Sequence, residues 1–198
     1  MPKNRLAKFA ATAALLTLTA ACSSTTVVPA ASAIDYRQFQ SIRFNAAQVQ
    51  VINDYQPRGS APNIDHLMDQ NPAQAVTQWA NANLRANGGN GYVQVHIKDA
   101  SVVSQQLGKI GGVEGYFTKQ QGEQLVAHVS VEIDGDQSDL RFHGYTTVEA
   151  SQLLTVPEDA TVTQRKAIEQ QLVNKLMTQF ISRAQAGILD HLHPMMMP

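Results

Sequence analysis

The chain has 198 residues and a mass of 21.5 kDa, enough for one domain and short for two. Charged residues make up only 16%, with 15 Lys and Arg against 16 Asp and Glu, which excludes a disordered acidic chain and argues against a nucleic-acid binder. A single cysteine excludes an intrachain disulfide and a cysteine-based zinc cluster.

The first 22 residues read as an address. Lys3, Arg5 and Lys8 make a basic start, Phe9 to Leu18 carry no charge, and Thr19-Ala20-Ala21 supplies small residues before Cys22. Only 13 uncharged residues separate Lys8 from Cys22, against the roughly 20 that a bilayer-spanning helix needs, so residues 1–21 are expected to be a removed signal peptide. Its removal leaves 12 basic and 16 acidic residues, a net charge of −4 with His neutral. Such a chain offers no clustered Lys and Arg for anionic lipid beyond Arg165-Lys166.

Leu18-Thr19-Ala20-Ala21-Cys22 resembles the lipobox of bacterial lipoproteins, with Thr19 where Leu is more usual. The resemblance implies that the Cys22 sulfur receives a diacylglyceryl group and that the new amino terminus is acylated, an anchor well above the two-signal threshold for stable membrane attachment. Ser23 follows the cysteine where an Asp would favour retention at the inner membrane. The implied location is therefore an outer-membrane anchor facing the periplasm.

Residues 22–34, the lipidated cysteine followed by Ser, Thr, Ala, Val and Pro, read as a flexible tether to a single domain over 35–192, with 193–198 as a C-terminal tail. Ile42, Phe44 and Ala46, then Val49 and Val51, predict one long strand with a bulge at Ala46-Ala47. Asp54 to Asp69 reads as an ordered loop pinned by Ile64, Leu67 and Met68. Asn71-Pro72-Ala73-Gln74 starts a helix with a capping box, Val76, Trp79, Ala80 and Leu84 share its apolar face, and Asn87-Gly88-Gly89 is expected to close it. Trp79 is expected in the core.

Val93, Val95 and Ile97 make a second strand, and the Gly-rich stretch Gln105 to Thr118 a loop or hairpin end. Leu125 to Ile133 alternates most regularly, Asp134-Gly135-Asp136 is expected to turn it, and Leu140, Phe142, Thr146 and Val148 continue as an antiparallel partner. After Pro157 to Thr161, Thr161 and Gln164 form a second capping box opening a helix from Gln164 to about His191, roughly 42 Å long, with Ile168, Leu172, Leu176, Phe180, Ala184 and Ile188 recurring every four residues.

The expected fold is α+β: a two-layer sandwich of a four-stranded, mostly antiparallel sheet with two helices on one face, in the order β-α-β-β-β-α. A lipidated cysteine, a short tether and this order look like the small envelope lipoproteins typified by the lipopolysaccharide-assembly lipoprotein and the transport-auxiliary lipoproteins. That resemblance implies binding of a partner protein or lipid without chemistry.

Catalytic signatures are scarce. No Gly-x-Ser-x-Gly elbow occurs, and Gly108-Lys109-Ile110-Gly111-Gly112 lacks the Ser or Thr of a phosphate loop. Asp134, Asp136 and Asp139 lack the Glu of a calcium loop and read as a turn. His191 and His193 with Met195, Met196 and Met197 could supply soft metal ligands, yet a tail that frays past the helix is the plainer meaning. No metal and no cofactor is expected, and the chain is expected not to be an enzyme. His96, His128 and His143 fall on the polar parity of their strands, with Gln94, Lys98, Ser130, Glu132, Arg141, Tyr145 and Thr147. His96, His128, His143 and Tyr145 are therefore the candidate binding residues for an envelope protein partner, on a polar face suited to a wet interface. The alternative is a lipid or small-molecule carrier or sensor, with the Asp54 to Asp69 and Gln105 to Thr118 loops closing over a pocket between sheet and helices.

Overall fold

A computed structural model describes residues 32–108 and 121–197. Cys22, the signal segment, most of the tether and residues 109–118 of the Gly-rich stretch lie outside the described residues.

The chain enters as an extended segment with a 3-10 turn at Tyr36–Gln38, capped by the Asp35 side chain on the Arg37 N–H. The long first strand expected from the sequence is instead two strands in two different sheets. β1 (Ile42–Phe44) runs parallel to β3 (Leu84–Ala86) in a two-stranded ladder, and β2 (Gln48–Asn53) runs parallel to β4 (Gly91–Asp99) in the main sheet. The parity change at Ala46-Ala47 is the crossing between the sheets: the Asn45 N–H donates to the Met195 carbonyl at 2.8 Å, and that of Ala47 to Gly91 at 2.7 Å.

Helix α1 (Pro72–Asn83) starts as expected, with Asn71 as N-cap and both capping-box hydrogen bonds to Gln74. It stops four residues before the expected Asn87-Gly88-Gly89 closure. Leu84 is extended, and residues 84–86 pair with β1 instead of continuing the helix. Gly88 and Gly89 still serve a turn, with φ of 94° and 99°.

The main sheet has five strands rather than four. β5 (Val102–Gln106), which the Gly-rich reading concealed, and β4 lie along one edge of β6 (Gln121–Gln137), while β7 (Phe142–Pro157) pairs with the other edge over its whole length. The pairings are antiparallel apart from β2 with β4. Among the described residues the order is therefore β-β-α-β-β-β-β-β-α.

Asp134-Gly135-Asp136 is not the hairpin turn. β6 runs through it, and the chain reverses in a 3-10 turn at Ser138–Leu140, with Arg141 left-handed at φ 48°. Gly135 makes room for the C-terminal segment: a Cβ there would lie 2.7 Å from Met195 Sδ and 2.9 Å from Leu192 Cδ2. Leu140 and Arg141 accordingly leave the ladder, and β7 begins at Phe142.

Helix α2 (Val162–Leu192) opens on the expected Thr161–Gln164 capping box and spans about 46 Å. Both helices pack on one face of the sheet. Val93, Val95 and Ile97 of β4, Leu125 to Ile133 of β6 at alternate positions, and Leu172, Leu176 and Phe180 of α2 are all fully buried there. Trp79 is 1% exposed, in the core as expected. The residues expected to fray are docked: Met195 is fully buried, Met196 bridges Phe44, and the Met197 N–H donates to the Arg43 carbonyl at 2.8 Å.

Candidate docking face of the sheet

Because strand side chains alternate, a sheet covered by helices on one face must present every second residue on the other. On β6 the buried set ends in Ile133, Gly135 and Gln137, and the outer set is Val126, His128, Ser130, Glu132, Asp134 and Asp136. Register then aligns the neighbours into rows. Gln48, Tyr92, Asp136 and His143 form one; Gln50, Gln94, Asp134 and Tyr145 the next; Ile52, His96, Glu132 and Thr147 a third. Further along the hairpin Ser130 stands opposite Glu149, and His128 opposite Ser151.

The structure therefore brings His96, His128, His143 and Tyr145 onto one open face. Arg141, expected with them, sits in the turn. The sequence reading missed Asp134 and Asp136 because an Asp-Gly pair signals a turn. The detectable sign was the period of two, which continues through Asp134 and Asp136 with Gly135 and Gln137 inward.

Two small networks order this surface. Asp54 accepts from Lys98 Nζ and bonds His96 Nδ1, each at 2.9 Å, and His96 Nε2 lies 3.4 Å from Gln94 Oε1. The Lys98 ammonium, then His96, hold the Asp54 carboxyl below the usual carboxylate range. Across the hairpin, His128 Nδ1 and Ser151 Oγ are 2.8 Å apart. This pair has the elements of a nucleophile and base, but no third group orients His128 among the described residues, and the pair lies on an open sheet rather than in a cleft.

Asp134 is the odd member. Its Oδ1 is buried without a hydrogen-bond partner. Partial burial raises its carboxyl, Glu132 and Asp136 on either side push the same way, and His96 and His143 oppose them. Glu132, Asp134, Asp136 and Glu149 make the face an acceptor surface, while its one lysine, Lys98, is already held by Asp54. Tyr145 and Leu153 are 60% and 50% exposed on the same side.

The Met residues of the C-terminal segment are drawn into the fold: Met195 is in the core, and Met197 Sδ accepts from Asn87 Nδ2 at 3.2 Å. Among the described residues no group of three His, Cys, Asp or Glu is placed to hold a metal ion. The Asp54 to Asp69 segment is tied down through its second half. The Ile64 N–H donates to Val102 at 2.8 Å and Ser104 to Pro62 at 2.9 Å, zipping it to β5, with Met68 buried and Leu67 exposed. A surface cleft of about 410 Å³ lies between Asn53, Tyr55 and Pro57 and the first turns of α1 at Ala73, Gln74 and Thr77. It lies between the end of edge strand β2 and the start of α1.

No protein-family model matches the chain, and no curated protein matches it in sequence. Among solved structures it is similar to a minor lipoprotein from Acinetobacter baumannii, with 13% identity and a TM-score of 0.34 over 67% of this chain and 85% of that one. It is also similar to a DUF330-family protein from Xanthomonas campestris, with 9% identity and a TM-score of 0.32 over 77% of this chain and 86% of that one. Likeness at this level decides neither fold nor role. No described helix is long and apolar enough to cross a membrane.

Proposed function

We propose that the chain is a lipid-anchored envelope protein, held through Cys22 in the outer membrane and facing the periplasm, that acts without catalysis as an adaptor or stabilising subunit of an envelope assembly or transport system. The address rests on the lipobox-like Leu18 to Cys22 and the tether behind it. The observation that carries the role is the one-sided sandwich. The helices seal one face, and the other presents His96, His128, His143 and Tyr145 among carboxylates and exposed Leu153, a mixture typical of wet, non-obligate interfaces. Its surplus of acceptors suits a partner protein that supplies Lys, Arg and backbone N–H donors.

The test is purification of the full-length protein from detergent-solubilised membranes, with mass spectrometry of everything that accompanies it. Cys22→Ala and the pair His128→Asp/His143→Asp serve as comparisons. A stoichiometric envelope protein lost with either change is expected. A lipid-modified protein that comes clean of any partner would contradict the adaptor role and favour carriage of a small ligand.

A further inference from the structure

Resting on the reading of Cys22 as the lipid attachment site, we infer that the helical layer faces the anchoring membrane and that the polar sheet face points away from it. The exit point of the chain carries this. Asn174 Nδ2 of α2 donates to the Ser32 carbonyl at 2.8 Å, and Ile34 packs on the core. Tyr36 is buried at 6% exposure, and Asn83 Nδ2 at the end of α1 donates to the Phe39 carbonyl at 2.9 Å. The chain thus leaves the domain beside both helices, on the side opposite His96, His128, His143 and Tyr145.

From Cys22 to Ser32 is a step of 10 residues, about 35 Å at full extension. Turning the sheet towards the bilayer would oblige the link to pass both layers before it reached the membrane, whereas with the helices turned to the bilayer it reaches the membrane directly from its exit point. The anchor therefore sets direction as well as location: it leaves the acidic face free for a partner in the periplasm or on the facing membrane.

The acylated cysteine makes the test clean, since Cys22 is the only thiol in the chain. Thr147 is exposed on the sheet face and Thr178 on the outer side of α2. Thr147→Cys and Thr178→Cys, each made in the full-length lipidated protein and labelled with a fluorophore, are reconstituted into phosphatidylethanolamine–phosphatidylglycerol vesicles containing a headgroup-nitroxide lipid. Quenching several-fold stronger at position 178 than at 147 is expected. Equal quenching, or stronger quenching at 147, on protein whose Cys22 carries lipid by mass would overturn the orientation alone. An unmodified Cys22 peptide would overturn the anchor and the orientation together.

Discussion

Trp79 and Phe180 meet edge to face, ring centroids 5.2 Å apart and planes at 87°, and so tie α1 to α2 above the sheet. Both rings are essentially fully buried. Phe180→Ala should therefore lower the unfolding free energy by about 3–5 kcal/mol through lost transfer and a residual cavity. Trp79 is the sole tryptophan, so its emission follows the urea transition directly. A change below about 1 kcal/mol would mean that the two helices do not share a core.

Glu123 and Arg165 form a second tie, between the start of β6 and the first turns of α2. Glu123 is 8% exposed and bonded by Arg165 Nη1 and Nη2 and by Ser104 Oγ, while Arg165 Nε donates to Glu169 Oε1 at 3.0 Å. Burial raises the Glu123 carboxyl, but the hydrogen bonds from Arg165 and Ser104 outweigh it and leave the carboxyl below its usual range. A carboxyl lowered by folding stabilises above the unfolded value, and that contribution fades as pH falls through the folded one. Glu169, raised by burial, acts in the opposite sense. Comparison with Glu123→Gln therefore isolates the pair. That variant should lose about 1–3 kcal/mol at neutral pH, since Arg165 keeps Glu169 and part of its solvent contact, and the gap to the parent should narrow in acid. A gap independent of pH, read from urea midpoints, would contradict this.

Gly187 of α2 rests on Thr146 of β7, where a Cβ would collide with Thr146 Oγ1. Alanine has the better helix propensity by about 1 kcal/mol. Even so, Gly187→Ala should be net destabilising, by about 1–3 kcal/mol, because the stiff, buried Thr146 cannot yield. Thr146→Ala combined with Gly187→Ala should recover most of the loss. Additive losses in the double variant would show that the two residues are not coupled.

The docked C-terminus gives a sharp contrast between neighbouring residues. Met195 is fully buried against Gly135, whereas Met197 is 36% exposed. Met195→Ala should cost about 2–5 kcal/mol and Met197→Ala much less. Equal, small effects in thermal unfolding would place the segment outside the cooperative fold.

Elements written in local chemistry were legible in the sequence. Asn71-Pro72-Ala73-Gln74 and Thr161 with Gln164 began their helices where expected, and the alternation around Leu125 to Ile133 marked the central strand with its inward and outward faces. That alternation also put His96, His128, His143 and Tyr145 on one side. Elements defined by a distant partner were not legible. Leu84–Ala86 is a strand only because Ile42–Phe44 lies beside it, and Val102–Gln106 only because β6 extends back to Glu123. Gly135 misled for a related reason: the residue that signals a turn locally was there to admit Met195, 60 positions away.

Tyr145 and Leu189 offer the most direct measurement of the central claim, because they are similarly exposed, at 60% and 58%, on opposite layers. Each position is replaced by a photo-crosslinking phenylalanine analogue in the lipidated protein, and intact cells are irradiated. The account predicts one defined protein adduct from position 145 and none from 189. An adduct from 189 alone, or none from either, would contradict a partner docked on the sheet face.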